Sequence, residues 1–357
     1  MSAGFHPLTI VDVRRETADA ISVTLAPPPG LADTFTFTPG QHLTFRADID
    51  GEDVRRNYSI CVAPGAALKV GIKRVDGGLF SSWAMNSLAP GRTIDTMEPR
   101  GHFTWSFSGD QARSYLCFAG GSGITPILSL LEAGLATERQ SRFTLLYGNR
   151  TSNSVMFLEE LAQLKDRYLD RLQIYHFLTA EADDIELFNG RLDEKRIAEL
   201  LSSLIDPKAI DVAFICGPAA MMETAERAML DAGVPADHVL VERFTAGRPT
   251  TADEQAERAV AAQAEGLMMQ VTIDGRRRSV AFHADKGSIL ESAREAGLPA
   301  PFACKAGVCA TCRAKLVGGE VRMKANYGLS PEEVAQGYIL TCQAVPLGEG
   351  VVLDYDA

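Results

Sequence analysis

Four cysteines constrain the fold of this chain more than any other feature of its sequence. Cys304, Cys309 and Cys312 follow a C-x4-C-x2-C pattern, and 29 residues separate Cys312 from Cys342. A loop that supplies three thiolates and a later strand that supplies the fourth is the ligand arrangement of a plant-type [2Fe–2S] cluster. The residues between the ligands are mostly small or glycine, which lets backbone N–H groups approach the sulfurs. The spacing therefore predicts an iron–sulfur site.

Two other uses of cysteine compete with this interpretation. A structural zinc site also takes four cysteines, although zinc sites usually pair two C-x2-4-C knuckles instead of grouping three ligands on one loop. Disulfides fit less well, because seven cysteines is an odd number and a chain of 357 residues can build its own core. Zinc stays open as the alternative metal.

Length and charge limit the function classes. A chain of 357 residues predicts two or three domains. The net charge of −11 disfavours nucleic acid as a partner, since a phosphate backbone selects basic surfaces. The sequence has no apolar run of about 18 residues and no signal-peptide pattern. We therefore expect no membrane span and a cytoplasmic protein, and the sequence leaves its oligomeric state undetermined.

Residues 8–105 are typical of a small antiparallel β-barrel, with short apolar strands separated by glycine and proline turns. Arg56-Asn57-Tyr58-Ser59 ends one of these strands, and its side chains suit a phosphate, a flat ring and the edge of that ring. Gly77-Gly78 then leads into a helical stretch. Such a turn places backbone N–H groups where a pyrophosphate would bind, although a plain surface turn fits the same residues.

From Ser114 onward the pattern changes to alternating strands and helices. The strand Tyr115–Ala119 runs into the glycine turn Gly120–Gly123, which is typical of a dinucleotide fold although Pro126 replaces the usual third glycine. Arg150 follows the next strand at the position where NAD-specific folds carry a carboxylate, and this favours NADPH. Cys216 ends a later strand, where open α/β sheets place their ligands. A buried apolar cysteine is the alternative.

The remaining sequence predicts a linker and a third domain. Residues 246–266 lack an apolar stripe and are typical of a linker, helical in part. Asp274-Gly275 predicts a β-hairpin turn, and Ser288 and Ser330 each begin a capping box. The predicted fold is multidomain, with β, α/β and α+β parts. It comprises an antiparallel β-barrel domain (1–108), a doubly wound dinucleotide domain (109–245), a linker (246–266) and a C-terminal β-grasp domain that carries the cluster (267–357).

The order of these motifs resembles the ferredoxin–NADP reductase family with a plant-type ferredoxin fused behind it. Along nearly its full length the chain is similar to reductase components of bacterial oxygenases, in particular the reductase subunits of phenylacetyl-CoA epoxidases. The motifs that carry the resemblance are Arg55–Cys61, Gly78–Ser81, Gly121–Pro126, Tyr147–Ser152, Phe214–Met222, Glu242–Phe244 and Cys304–Cys312.

This resemblance implies a role for each matching residue. The residues implied to bind FAD are Arg56, Tyr58, Ser59, Gly78, Leu79, Phe80 and Ser81. Those implied to bind the nicotinamide nucleotide are Gly121, Gly123, Thr125, Arg150, Gly217 and Pro218, and Phe244 occupies the position of a ring-shielding aromatic residue. Cys216, Glu242 and Thr125 are implied to lie at the site of hydride transfer. The cluster ligands are Cys304, Cys309, Cys312 and Cys342.

The implied activity is electron transfer from NADPH through FAD and a [2Fe–2S] cluster to a di-iron oxygenase, with a phenylacetyl-CoA 1,2-epoxidase as the first expectation. The flavin converts a two-electron donor into one-electron steps. Other interpretations are a reductase for another aromatic oxygenase and a stand-alone redox protein. The basic residues near the cluster, Lys305, Arg313, Lys315 and Lys324, form either a docking face for the acceptor or ordinary solvated side chains.

Overall fold

The structure is a computed structural model that describes residues 4–182, 184–244 and 251–357. The predicted boundary between residues 245 and 246, and the first five residues of the predicted linker, lie outside these ranges. The contacts divide the chain into two compact units. One contains Phe5–Val54 and Tyr58–Glu242, and the other contains residues 243–357 together with short segments that include Arg55–Asn57.

The first part of the larger unit is an antiparallel sheet of order β4-β3-β6-β1-β2-β5. Its elements are β1 (His6–Thr17), β2 (Ala20–Ala26), β3 (His42–Ile49), β4 (Glu52–Ser59), β5 (Lys69–Lys73), helix α1 (Leu79–Ser87) and β6 (Thr93–Thr96). A bridge between Ile60 and Val70 joins the chain after β4 to β5, at opposite edges of the sheet. This closure produces the predicted barrel, whose interior holds large apolar side chains such as Phe45 and Phe80.

The second part of this unit is a parallel sheet of order β11-β10-β7-β8-β9. Its elements are β7 (Ser114–Gly120), α2 (Ile124–Thr137), β8 (Arg142–Asn149), α3 (Leu158–Arg167), β9 (Leu172–Leu178), α4 (Glu194–Ser203), β10 (Val212–Cys216), α5 (Ala219–Asp231) and β11 (Val239–Glu242). The strand order reverses between β7 and β10. In open α/β sheets the ligand crevice lies at such a switch point, outside the carboxyl ends of the strands.

Both faces of the parallel sheet are covered by helices. Alternate residues of β7 belong to different cores, because successive side chains of a strand point to opposite faces. Cys117 packs in a core with residues of α2 and α3, whereas Phe118 packs with residues of α4 and α5. The sheet is therefore doubly wound, as predicted.

The smaller unit contains a mixed sheet of order β13-β12-β18-β14-β16 and a two-stranded sheet of β15 and β17. Its elements are α6 (Thr251–Gln263), β12 (Met268–Ile273), β13 (Arg276–Ala281), α7 (Ile289–Glu295), β14 (Arg313–Gly318), β15 (Val321–Met323), α8 (Pro331–Ala335), β16 (Tyr338–Leu340), β17 (Ala344–Pro346) and β18 (Val352–Asp354). Strands β12 and β18 pair in parallel, and their neighbours pair antiparallel. This is the predicted β-grasp arrangement.

Local signals in the smaller unit agree with its structure. Asp274 and Gly275 both have positive φ, of 51° and 69°, as a tight hairpin turn requires. Ser330 begins α8 with both halves of a capping box in place, whereas Ser288 supplies only its own half at α7. Ala261, inside the predicted linker, is 4% exposed in the core of this unit. In the described part of the chain, no helix has the length and apolarity that a membrane span needs.

Candidate flavin, nucleotide and iron–sulfur sites

The end of β4 carries the candidate flavin contacts. The Tyr58 ring lies 5.6 Å from that of Phe45 and 5.7 Å from that of Phe80, so apolar neighbours fix its orientation. Ser59 is 2% exposed, and its hydroxyl has no hydrogen-bond partner among the described residues. A buried hydroxyl without a partner is costly and is usually satisfied by water or a ligand. The buried Ser59 hydroxyl therefore fits the polar edge of a flavin.

The side chains of Arg56 and Ser81 form hydrogen bonds within the protein and are not preorganised to bind a phosphate. Arg56 is exposed on β4, and its guanidinium donates to the carbonyl oxygen of Arg55 at 2.7 Å. Ser81 is buried, and its hydroxyl accepts from the Val75 N–H and donates to the Gly78 carbonyl. Both side chains therefore already have protein partners near the predicted pyrophosphate position.

The backbone at the start of α1 provides a better anion site than those side chains. The helix begins after Gly78, and no side chain caps its first N–H groups. A Cβ on Gly78 would lie 2.7 Å from the Ser81 hydroxyl oxygen, so the turn requires glycine. Uncapped N–H groups at a helix start suit a pyrophosphate. Leu79, Phe80 and Ser81 would contribute through their backbone, while the Phe80 side chain supports Tyr58.

The glycine turn after β7 packs directly against the chain after β10. A Cβ on Gly123 would lie 2.1 Å from the Cys216 carbonyl oxygen, and one on Gly120 would lie 2.4 Å from Pro218 Cδ. Gly121 has a φ of +52°, a conformation that favours glycine. The backbones on both sides of the switch point thus approach as closely as glycine permits, which forms a cradle for a dinucleotide.

Cys216 and Glu242 are neighbours at the carboxyl ends of paired strands. Burial, with a smaller effect of the Glu242 charge, raises the pKa of the fully buried Cys216 thiol well above its usual value. Burial also raises the pKa of Glu242 to about 8. At neutral pH the pair is therefore a neutral thiol beside a largely protonated carboxyl, an apolar setting suited to a nicotinamide ring. Phe244, two residues after Glu242, is 42% exposed.

Thr125 and Tyr147 hold the glycine turn in place. The Thr125 hydroxyl donates to the Ser122 carbonyl at 2.9 Å, so its hydrogen bond serves the turn. The Tyr147 hydroxyl donates to the Gly121 carbonyl at 3.0 Å from the adjacent strand β8. Sequence reasoning assigned no role to Tyr147, because a tyrosine in a buried strand has the pattern of an ordinary core residue.

The loop after β8 carries a cation and contacts a carboxylate from the segment after β9. Arg150 is exposed immediately after the strand, as predicted. Glu181, after β9, accepts from the Ser152 N–H at 3.0 Å and from the Ser152 hydroxyl at 3.2 Å. The sequence suggested no carboxylate near Arg150. The structure corrects this, because the parallel register of β8 and β9 brings residues 29 positions apart together.

The four predicted cluster ligands form two pairs. Cys304 and Cys309 lie close enough that their hydrogen bond raises the pKa of Cys304 and lowers that of Cys309. Cys312 and Cys342 are coupled in the same way. Among the described residues, no three Cys, His, Asp or Glu side chains are grouped as ligands of a single metal ion. Three thiols on one loop and a fourth on a later segment keep the ligand spacing of a plant-type [2Fe–2S] cluster.

Backbone and side-chain donors surround these sulfurs. The Ala306 N–H points to Cys304 Sγ at 3.3 Å, and Gln343 Nε2 points to Cys342 Sγ at 3.5 Å. Lys305 and Ala310 adopt positive φ, of 53° and 51°, which turns the loop sharply around the site. Donors to sulfur stabilise the charge of a ligated cluster, so this loop fits a [2Fe–2S] group.

A hydrogen-bond chain also anchors the second pair from behind. The Tyr355 hydroxyl donates to Thr341 Oγ1 at 2.8 Å, and the Thr341 hydroxyl donates to the Cys312 carbonyl at 2.9 Å. Thr341 is fully buried and directly precedes Cys342. The chain therefore ties both ligands of the second pair to the segment after β18.

The basic residues around the cluster are largely paired with carboxylates. Three of them form ion pairs: Lys305 with Glu291 at 2.8 Å, Arg313 with Glu333 at 2.6 Å, and Lys324 with Glu257 at 3.7 Å. These ion pairs neutralise much of the positive charge of the predicted docking face. Lys315 lies beside the Tyr338 ring. Solvated and locally paired side chains describe this surface better than a positive patch.

Comparison with known proteins places each site within a recognised family. Residues 8–105 match the oxidoreductase FAD-binding domain, residues 118–227 the oxidoreductase NAD-binding domain and residues 271–347 the 2Fe-2S iron-sulfur cluster binding domain. The matches cover the candidate flavin, nucleotide and cluster residues in that order. They support FAD, a nicotinamide nucleotide and a [2Fe–2S] cluster as the cofactors.

Two relatives match this chain along nearly the full length of both proteins. The chain is 45% identical to a subunit of the 1,2-phenylacetyl-CoA epoxidase of Escherichia coli (strain K12), over 99% of this chain and 98% of that protein. It is 32% identical to the ferredoxin reductase component of 3-ketosteroid-9-alpha-monooxygenase from Rhodococcus rhodochrous, over 98% and 96% of the two chains.

Solved structures show the same fold. Phthalate dioxygenase reductase matches with a TM-score of 0.59 at 24% identity, over 98% of both chains. An intact type IV self-sufficient cytochrome P450 monooxygenase matches with a TM-score of 0.70 at 22% identity, over 98% of this chain and 41% of that one.

Proposed function

Because the chain belongs to the same family as that subunit of the Escherichia coli 1,2-phenylacetyl-CoA epoxidase, we propose that its electron acceptor is a di-iron oxygenase that epoxidises phenylacetyl-CoA. The chain is an NAD(P)H-dependent oxidoreductase with flavin, nucleotide and iron–sulfur domains, and its relatives are reductase components of oxygenases. The observation that carries the choice of acceptor is 45% identity over 99% of the chain, compared with 32% for the ketosteroid monooxygenase reductase.

The barrel would hold FAD through the residues at the end of β4 and the start of α1. Tyr58 would stack on the flavin while Phe45 and Phe80 fix its ring. The buried Ser59 hydroxyl would bond the flavin edge. The pyrophosphate would lie on the N–H groups after Gly78, with Arg56 turning from the Arg55 carbonyl to meet its charge.

The nucleotide would bind across the switch point. Gly121 would leave the backbone open to it, since no atom lies nearer than 4.0 Å to its Cβ position, while Gly123, Gly217 and Pro218 pack the two turns together. The neutral Cys216 thiol would pack beside the nicotinamide, with Glu242 next to it. Thr125 would act by fixing the turn through its bond to the Ser122 carbonyl.

The chemistry depends on alignment more than on acid–base groups. Bound FAD would supply the conversion of a two-electron hydride donor into one-electron steps toward the iron–sulfur centre. The protein's part is to orient the nicotinamide, exclude water around Cys216 and hold a proton on Glu242, whose pKa of about 8 keeps that carboxyl largely neutral at pH 7. A neutral carboxyl avoids placing a negative charge beside a flavin that becomes more negative when it is reduced.

NADPH is the proposed electron donor, because Arg150 stands at the end of β8 where it can meet a 2′-phosphate. Loss of a charge-assisted contact costs about 1.5–3 kcal/mol. Arg150→Ala should therefore raise the KM for NADPH about ten-fold or more and barely change that for NADH. Steady-state kinetics with an artificial acceptor measure this, and equal effects on both nucleotides would show that Arg150 does not contact the phosphate.

The acceptor is tested by reconstitution. Purified holoprotein should support turnover of phenylacetyl-CoA when mixed with the oxygenase components of the epoxidase and NADPH. The matched control is a ketosteroid monooxygenase, the oxygenase partner of a relative with the same three-part organisation. Catalytic turnover with the control but none with the epoxidase would assign the chain to another oxygenase.

A further inference from the structure

The backbones that follow β8 and β9 stay paired beyond the ends of the strands. The Thr179 N–H donates to the Asn149 carbonyl at 3.1 Å, and the Ala180 N–H donates to the Arg150 carbonyl at 2.8 Å. This extension carries residue 181 past Arg150 to the start of the next turn. The backbone immediately before Glu181 is thus held beside the chain after β8.

Glu181 uses both hydrogen-bond donors of Ser152. Its carboxylate accepts from the N–H at 3.0 Å and from the hydroxyl at 3.2 Å. A backbone N–H with an adjacent hydroxyl is also the kind of donor pair that binds a phosphate oxygen. A carboxylate of this chain therefore occupies donors that an anionic ligand would use.

A second observation indicates that a ligand reaches this end of β8. Asn149 is 7% exposed, and neither polar atom of its side chain has a partner in hydrogen-bond geometry among the described residues, although the amide lies close to the Tyr147 hydroxyl. That hydroxyl bonds the nucleotide-binding turn at Gly121. A buried amide with unused donors and acceptors beside the turn fits contact with a ribose or phosphate.

We propose that Glu181 is a selectivity residue that opposes the 2′-phosphate of NADPH. The inference rests on the proposed nucleotide site, in which Arg150 attracts that phosphate. NADPH must displace the Glu181 carboxylate from Ser152 or bind against its charge, whereas NADH lacks the phosphate and leaves the contact undisturbed. The ratio of kcat/KM for NADPH to that for NADH is therefore smaller than it would be if Arg150 alone set the selectivity.

Glu181→Gln tests this with little change in shape, because the amide oxygen can still accept from the Ser152 N–H. Removal of the charge should raise kcat/KM for NADPH about ten-fold, mostly through KM, and change that for NADH less than about two-fold. Glu186→Gln is the matched control, since it removes the same charge from an exposed position in the same connection and should change neither nucleotide.

Ligand binding gives a readout independent of turnover. Calorimetry with holoprotein should show that Glu181→Gln tightens adenosine 2′,5′-bisphosphate about ten-fold and leaves 5′-AMP unchanged. An unchanged ratio of the two affinities would overturn the proposal. Weaker binding of NADH and 5′-AMP would also overturn it, because Glu181 would then be a ribose-binding residue.

The two proposals fail separately. If Arg150→Ala leaves NADPH kinetics unchanged while Glu181→Gln still tightens the bisphosphate, the role of Arg150 is wrong and that of Glu181 stands. If Arg150→Ala weakens NADPH and Glu181→Gln changes nothing, the phosphate site is right and Glu181 does not regulate it.

Discussion

Gly123→Ala should disable hydride transfer while leaving the flavin site intact. The backbone of Gly123, with φ of −61° and ψ of −11°, is one that alanine adopts readily, so no backbone strain accompanies the change. The added methyl group would instead lie 2.1 Å from the carbonyl oxygen of Cys216 and 2.5 Å from its carbonyl carbon. Both are backbone atoms of the interior strand β10, which cannot rotate away as a side chain would.

The magnitude follows from the size of this overlap. Ordinary carbon–oxygen contacts require the two segments to separate by about 1 Å, and overpacking of this kind costs about 1–3 kcal/mol. For a unit of this size each kcal/mol lowers Tm by roughly 2–4 °C. A displacement of about 1 Å near the reacting atoms can cost on the order of 100-fold in rate. A 100-fold loss in rate corresponds to about 2.7 kcal/mol, so the kinetic loss should be as large as the upper end of the loss of stability.

Stopped-flow reduction of the flavin by NADPH measures the hydride step directly, and bound FAD is counted from the visible spectrum. Gly148→Ala on strand β8 is the matched control, because its methyl group would meet only Ala119 O and Leu192 Cδ1, each at 3.8 Å. Flavin reduction at the normal rate in Gly123→Ala would refute the view that the close approach of the two turns aligns the nicotinamide.

Two further variants test the electrostatics and the cluster. The pKa of Glu242 is raised from 4.5 to about 8, so its contribution to stability is complete below pH 4.5 and is lost as the pH rises to 8. The Tm of the parent protein should therefore fall between pH 4.5 and 8 by the amount that Glu242 contributes. Glu242→Gln should remove this contribution to the fall in Tm. A variant with the same decline as the parent would show that the carboxyl is not buried in solution. Cys309→Ser should remove iron, labile sulfide and the EPR signal of the reduced cluster while flavin reduction by NADPH stays nearly intact; retention of two irons and two sulfides would show that Cys309 is not a ligand.

The sequence predicted those features that short-range patterns control. The cysteine spacing identified three thiols on one loop and a fourth on a later segment, and Ser330-Pro331 predicted the start of α8 with its capping box. Gly121 and Gly123 stood at the predicted strand-to-helix turn. Pro126, which departs from the usual motif, lies in the first turn of α2, where proline is tolerated because its missing N–H would have no helical partner.

Contacts between distant residues were not predictable in the same way. Glu181 and Ser152 meet because β8 and β9 pair in a particular register, and no local pattern specifies that register. Lys305 and Lys324 looked like free cations because their partners, Glu291 and Glu257, lie 14 and 67 positions away. Residues 246–266 had the sequence pattern of a linker. The sequence did not indicate that Ala261 belongs to a core, because that burial arises only when α6 packs against the rest of the smaller unit.

The strand order of the smaller unit has a consequence for its biogenesis. The middle strand of the five-stranded sheet, β18, starts at Val352, 40 positions after the cluster ligand Cys312. At a synthesis rate of roughly 5–20 residues per second, Cys312 leaves the ribosome about 2–8 s before that strand does. Until β18 has left the ribosome, the sheet lacks its middle strand, and Tyr355 cannot form its hydrogen bond to Thr341, which anchors the second thiol pair. During this interval the thiols are exposed to oxidants and stray metals, so the yield of correctly loaded protein should depend on how quickly iron and sulfide are supplied after translation.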